Sequence, residues 1–127
     1  MKNSITVFDK LDAPSTAGTS LVSKLEYGIM YNDLVDLLGS ASFEGSSDGK
    51  VNFEWVVEFE SENGTQLFTV YDWKTESPEW SMLNTGGMEE AKSNFGSRWH
   101  VGGKEYAGDF VEYLETEIKK VRTELTF

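Results

Sequence analysis

The chain has 127 residues, a formal net charge of −11, no cysteine, and 39% hydrophobic and 13% aromatic residues. This length suits one domain, and eight Phe, five Tyr and four Trp supply enough apolar area for a core, so the chain is expected to fold despite its charge. The missing cysteines exclude disulfides, thiolate metal sites and a cysteine nucleophile, and the acidic balance disfavours direct binding of nucleic acid or an anionic membrane surface.

Residues 1–18 are polar and end in "APSTAGTS". They read as a loosely ordered N-terminal segment carrying a short strand at Ile5–Phe8, ahead of a single domain over 19–127. The start lacks the apolar run of a signal peptide, and no stretch of about 18 apolar residues follows, so a cytoplasmic protein is expected. "SLVSKLEYGIM" reads as a strand or an extended approach to "YNDLVDLLG". The latter predicts a short helix. Asn32 or Asp33 caps its start, Leu34, Leu37 and Leu38 share one face, and Gly39 ends it. "SASFEGSSDGK" is a Gly/Ser-rich loop.

"VNFEWVVEFE" carries the strongest pattern. Phe53, Trp55, Val57 and Phe59 alternate with Glu54, Val56, Glu58 and Glu60, the period of a strand with one buried face. Asn63-Gly64 marks a hairpin turn. "TQLFTVYDWK" then returns as a second strand, with Leu67, Thr69, Tyr71 and Trp73 on one side and Phe68, Val70 and Asp72 on the other. Val56, Phe68 and Val70 read as a second, partly apolar face, a hint of a dimer interface.

Residues 75–96 contain a Pro, a Gly pair and Trp80. This is long for a structureless connection, with "MEEAKSNFG" as a candidate helical turn. "SRWHVGG" predicts a short strand. The last segment is an amphipathic helix: Phe110, Leu114, Ile118, Val121 and Leu125 form its stripe. Asp109 and Glu112 lie near its positive end, and Lys119, Lys120 and Arg122 near its negative end. The expected fold class is α+β: a small antiparallel β-sheet built on a central hairpin, packed on one side by a short helix and a long C-terminal helix.

Candidate chemistry concentrates in "SRWHVGGK". From Ala91 to Lys104 there is no acidic residue, in a chain with 22 acids against 11 bases. Arg98 offers a planar fork for phosphate or carboxylate, Trp99 a flat face for a base, and Gly102-Gly103 a close backbone approach. Lys104 precedes a helix N-terminus, which favours anions. Trp73 and Trp80 are further candidates for closing over a ligand. The competing reading is plain: one side of this strand is core, the other a solvated face that pairs with carboxylates, and the Gly pair is a turn into the helix. No nucleophile elbow, P-loop or dinucleotide fingerprint is present, and the lone His100 lacks partners at metal-ligand spacing, so neither catalysis nor a cofactor is expected.

"YNDLVDLLG", then "SSDGKVNFEWVVEFESENGTQLFTVYDWK", then "SRWHVGGK" before a final helix resembles a group of small tailed-bacteriophage proteins. The resemblance covers about residues 28–118. It implies an accessory protein of the host cytoplasm, and two ways to counter host defence. One is sequestration, without catalysis, of a nucleotide-derived anionic small molecule, with Arg98, Trp99, His100, Gly103 and Lys104 as the binding groups, joined by Trp73 and Trp80, in a homo-oligomer. The other is an acidic imitation of DNA that masks a basic host protein.

Overall fold

The computed structural model describes residues 3–26, 28–44, 51–72 and 98–125. Among these the chain forms six strands and two helices: β1 (Ser4–Phe8), β2 (Ser20–Lys24), α1 (Tyr31–Leu38), β3 (Phe43–Glu44), β4 (Phe53–Ser61), β5 (Gly64–Tyr71), β6 (His100–Gly103) and α2 (Gly108–Leu125). The strands make one antiparallel sheet in the order β1-β4-β5-β6-β2, with β3 also on β4. The fold is α+β, as the patterning predicts. Expectations for the "SSDGK" loop, for residues 75–96, and for Trp73 and Trp80 lie outside the described residues.

The hairpin forms where alternation places it, but its turn is Glu62-Asn63, between the paired Ser61 and Gly64. Ser61 Oγ accepts the Asn63 N–H at 3.2 Å and steadies the turn. This register sets the faces. Trp55 stands opposite Val70, and Val57 opposite Phe68. Opposed residues share a face, so Phe68 and Val70 join Phe53, Trp55, Val57 and Phe59 in the core, all 0–1% exposed. The expectation that Phe68 and Val70 form a second apolar face with Val56 is therefore corrected. The other face carries Glu54, Val56, Glu58, Leu67, Thr69 and Tyr71.

β1 pairs with β4 from Ser4↔Glu60 to Phe8↔Val56, so residues 4–8 belong to the sheet rather than to a loose leader. β1 and β3 occupy successive stretches of one β4 edge. Between them Ser42, 4% exposed, takes the Val56 N–H at 2.9 Å on its hydroxyl and donates to the Phe8 carbonyl. A side chain thus satisfies backbone groups that no strand reaches.

Both helices pack on the core face. Phe110, Leu114 and Ile118 of α2 and Leu34 and Leu38 of α1 are buried there. Phe68 and Phe110 stack with centroids 4.6 Å apart and planes at 8°. The cap of α1 differs from expectation in detail. Met30 is its N-cap residue, and Asp33 accepts the Met30 N–H at 2.7 Å from the third helical position. Gly39, with φ 81°, ends the helix as expected and donates to the Val35 carbonyl at 2.8 Å.

Two indoles fix α1 to the sheet. Trp55 Nε1 donates to the Gly39 carbonyl at 2.9 Å, at the helix end. Trp99 Nε1 donates to the Ile29 carbonyl at 2.8 Å, just before its start. The rings themselves meet edge to face at 5.7 Å. Each indole brings its polar atom into the core already satisfied, which removes the usual cost of burying it.

Candidate functional site

The stretch that draws attention in the sequence is β6 and its flanks, and strand alternation divides it. Trp99 is 5% exposed and points into the core, where its ring and N–H both have partners. Gly103 is buried on the same side: a Cβ there would stand 2.8 Å from the Phe68 ring. Arg98 and His100 fall on the opposite face. Lys104 lies beyond the strand, near Gly18, and six residues of extended chain from Arg98 amount to roughly 20 Å. These groups do not converge on one pocket. Trp99 and Gly103 act in packing.

Arg98 is anchored. Its Nε donates to the Leu25 carbonyl at 2.6 Å and Nη2 to the Lys24 carbonyl at 3.2 Å. The guanidinium thereby satisfies the carbonyls where β2 ends. Gly102 also answers to packing, since a Cβ would meet Thr69 Oγ1 at 2.5 Å.

What the structure brings together instead is a row across the sheet face opposite the helices, where Val56 and Thr69 are buried. Glu54, Tyr71, His100 and Lys24 are successive cross-strand neighbours on β4, β5, β6 and β2. Tyr71 and His100 meet edge to face at 5.5 Å. Sequence reasoning offered His100 and Tyr71 and missed Glu54 and Lys24, because the adjacency of the four depends on sheet order. Burial raises the Glu54 pKa. Burial and then the nearby Glu54 charge raise that of Tyr71. Burial lowers the His100 pKa; the Lys24 and Arg98 charges add to this while Asp72 opposes it. His100 is thus close enough to feel both the Lys24 and the Arg98 charge. Glu54 and His100 are two strands apart, about 10 Å, too far for direct proton exchange.

Asp72, from the "YDWK" segment, is structural. It is 6% exposed, and its carboxylate accepts the Asn52 and Phe53 N–H groups, both at 2.8 Å, and Asn52 Nδ2 at 2.7 Å. It closes the entry to β4 against the exit of β5.

The described charges are unevenly distributed along the molecule. At the end where α2 finishes, Arg122 grips Asp33 at 2.6 Å, Lys119 lies 3.6 Å from Glu26, and Lys120 lies 3.3 Å from Glu117. Burial works against the Asp33 charge, but hydrogen bonds from Arg122 and the Met30 N–H outweigh it and hold the pKa below the usual value. At the opposite end, the hairpin turn and the first turns of α2 enclose a cleft of about 320 Å³. Glu62, Asp109 and Glu112 line it, with no Lys or Arg among its described lining residues. Glu60 is exposed on the adjoining end of β4, and Tyr106, 81% exposed, precedes α2.

Among the described residues no group of His, Asp or Glu is placed to hold a metal ion, and no helix is long and apolar enough to cross a membrane. The fold and these surfaces define an α+β protein with an open antiparallel sheet, helices on one face and an acidic tip. No family model matches the chain, and neither a curated protein nor a solved structure is found similar to it.

Proposed function

We propose that the protein is a non-catalytic binding protein whose acidic tip docks on a basic surface of a protein partner. The observation that carries this is the one-sided use of cations. Lys119, Lys120 and Arg122 pair with acids around the C-terminal end of α2, whereas Glu62, Asp109 and Glu112 share a cleft lined by no described cation. Concentrated charge of one sign steers an oppositely charged partner, and an exposed aromatic such as Tyr106 supplies the anchor that such interfaces favour. The resemblance to phage proteins makes a basic host protein the expected partner, with suppression of host defence as the outcome.

The test is co-purification from host extract at low and high salt, using wild type and the variant Glu62→Lys/Asp109→Lys/Glu112→Lys. Asp36→Lys, on the exposed side of α1, is the control. Binding that weakens with salt and vanishes only in the tip variant supports the proposal. A partner retained by the tip variant refutes it.

One observation favours a second reading, the sequestration of an anionic small molecule. Lys24, His100 and Arg98 gather on the sheet face opposite the helices. A nucleotide held there raises Tm by mass action, and Lys24→Ala removes that gain. Absence of any shift with a panel of nucleotides at millimolar concentration rejects this reading.

A further inference from the structure

β2 is the last strand on its side of the sheet; among the described residues it pairs with β6 and with nothing beyond. An edge strand turns unpaired backbone groups toward solvent and is a template for another strand. This edge is also apolar. Leu21 is 49% and Val22 37% exposed, adjacent on one five-residue strand.

Charge selects what can lie there. Residues 13–24 contain no Asp or Glu, although the chain has 22. The neighbouring segment 98–104, which includes β6, contains none either. Two acid-free segments, distant in sequence, therefore lie side by side and form one flank. A molecule of charge −11 repels its own copies wherever carboxylates face each other. This flank is where a second copy approaches without that repulsion, and where a strongly basic partner finds nothing to hold it.

We infer that β2 pairs with β2 of a second copy, antiparallel about a two-fold axis at Val22. In this register Lys24 faces Ser20 of the other molecule and Leu21 faces Ser23, so the two lysines do not oppose each other. The two sheets become continuous. The irregularity between Leu21 and Ser23 twists β2 and keeps the contact short. Five residues span only roughly 17 Å, so the association is weak and reversible.

Sedimentation velocity of the full chain from about 10 to 500 μM at physiological salt reads the monomer–dimer balance. The expected result is a concentration-dependent dimer whose affinity falls at least about tenfold in Leu21→Lys/Val22→Lys, which places like charges near the axis. A second measurement does not depend on that variant folding well. The chain has no cysteine, so Val22→Cys introduces a single thiol. Directly opposed strand residues are close enough for a disulfide. Mild oxidation should cross-link Val22→Cys far faster than Leu11→Cys, a 93% exposed site outside this flank. A monomer at every concentration, a dimer undiminished by the lysines, or equal cross-linking at both positions would each overturn the inference.

Discussion

Gly103→Ala separates packing from ligand approach as the reason for the glycine pair. Both glycines lie in extended backbone, and neither Gly102 nor Gly103 is among the positive-φ glycines, so alanine meets no torsional penalty. Steric contact decides the outcome. The new methyl at position 103 would stand 2.8 Å from Phe68 Cδ1 and 3.1 Å from Cε1. Phe68 cannot turn away easily: it is 1% exposed, stacked on Phe110 at 4.6 Å, and 6.4 Å from Phe59. Overpacking of this kind costs about 1–3 kcal/mol. Losing glycine's flexibility in the unfolded chain returns about 0.5–1 kcal/mol. The central values leave a net loss of about 1.25 kcal/mol, and at about 4 °C per kcal/mol for a chain of this size Tm should fall by about 5 °C. The assay is thermal unfolding followed by far-UV circular dichroism. If the glycine were present to admit a ligand, alanine would fill open space and Tm would rise slightly. A rise, or no change, refutes the packing argument.

Three further outcomes follow from the same structure. Trp99→Phe removes the Nε1 donor and leaves the buried Ile29 carbonyl unpaired beside a small void; chemical denaturation should show a loss of about 2–4 kcal/mol. Asp72→Asn replaces a carboxylate that accepts three N–H groups with an amide that turns a donor toward one of them, and the same measurement should report a loss of about 1–3 kcal/mol. Glu54 has a folded pKa raised by burial, so the native state binds its proton more tightly than the unfolded chain does. Its contribution to stability is complete below the ordinary carboxylate value and is lost as pH rises through the folded pKa. Glu54→Gln should therefore raise Tm at pH 7 and change it little at pH 4; equal effects at both values would contradict this.

Much of the fold is legible because local periodicity carries it. The alternation of Phe53, Trp55, Val57 and Phe59 identifies β4, and the Leu34–Leu38 and Phe110–Ile118 patterns identify the helices. The buried face of β5 was ambiguous, since Leu67, Phe68, Val70 and Tyr71 place apolar groups on both sides. Counting through the turn resolves it. Any two-residue turn opposes odd positions of β4 to even positions of β5, which sends Phe68 and Val70 to the side of Trp55. Sheet order was not legible. Lys24, at the end of β2, and Arg98, just before β6, are 74 residues apart, a separation no local pattern bridges, although Arg98 donates to both Lys24 and Leu25. The candidate site suffered most from this. The row Glu54, Tyr71, His100, Lys24 exists only once β6 lies between β5 and β2, and Trp99 is recognised as core only once α1 is above it.

Four residues of "SRWHVGGK" thus have a structural cause. Arg98 answers the carbonyls ending β2, Trp99 the carbonyl preceding α1, and the glycines the Thr69 and Phe68 side chains of β5. The absence of acids has a separate explanation. β6 lies between β5 and β2, and β2 itself follows an acid-free run, so a carboxylate on either would confront a neighbouring strand or, in the proposed dimer, a second copy. The three carboxylates that line the tip cleft stand outside this flank, with no described cation lining the cleft beside them. Acids at the tip and none along the β2 edge give one molecule two surfaces of different use. They are separable by experiment: lysines at the tip abolish salt-sensitive docking and leave the dimer intact, while lysines on β2 dissociate the dimer and leave docking unchanged.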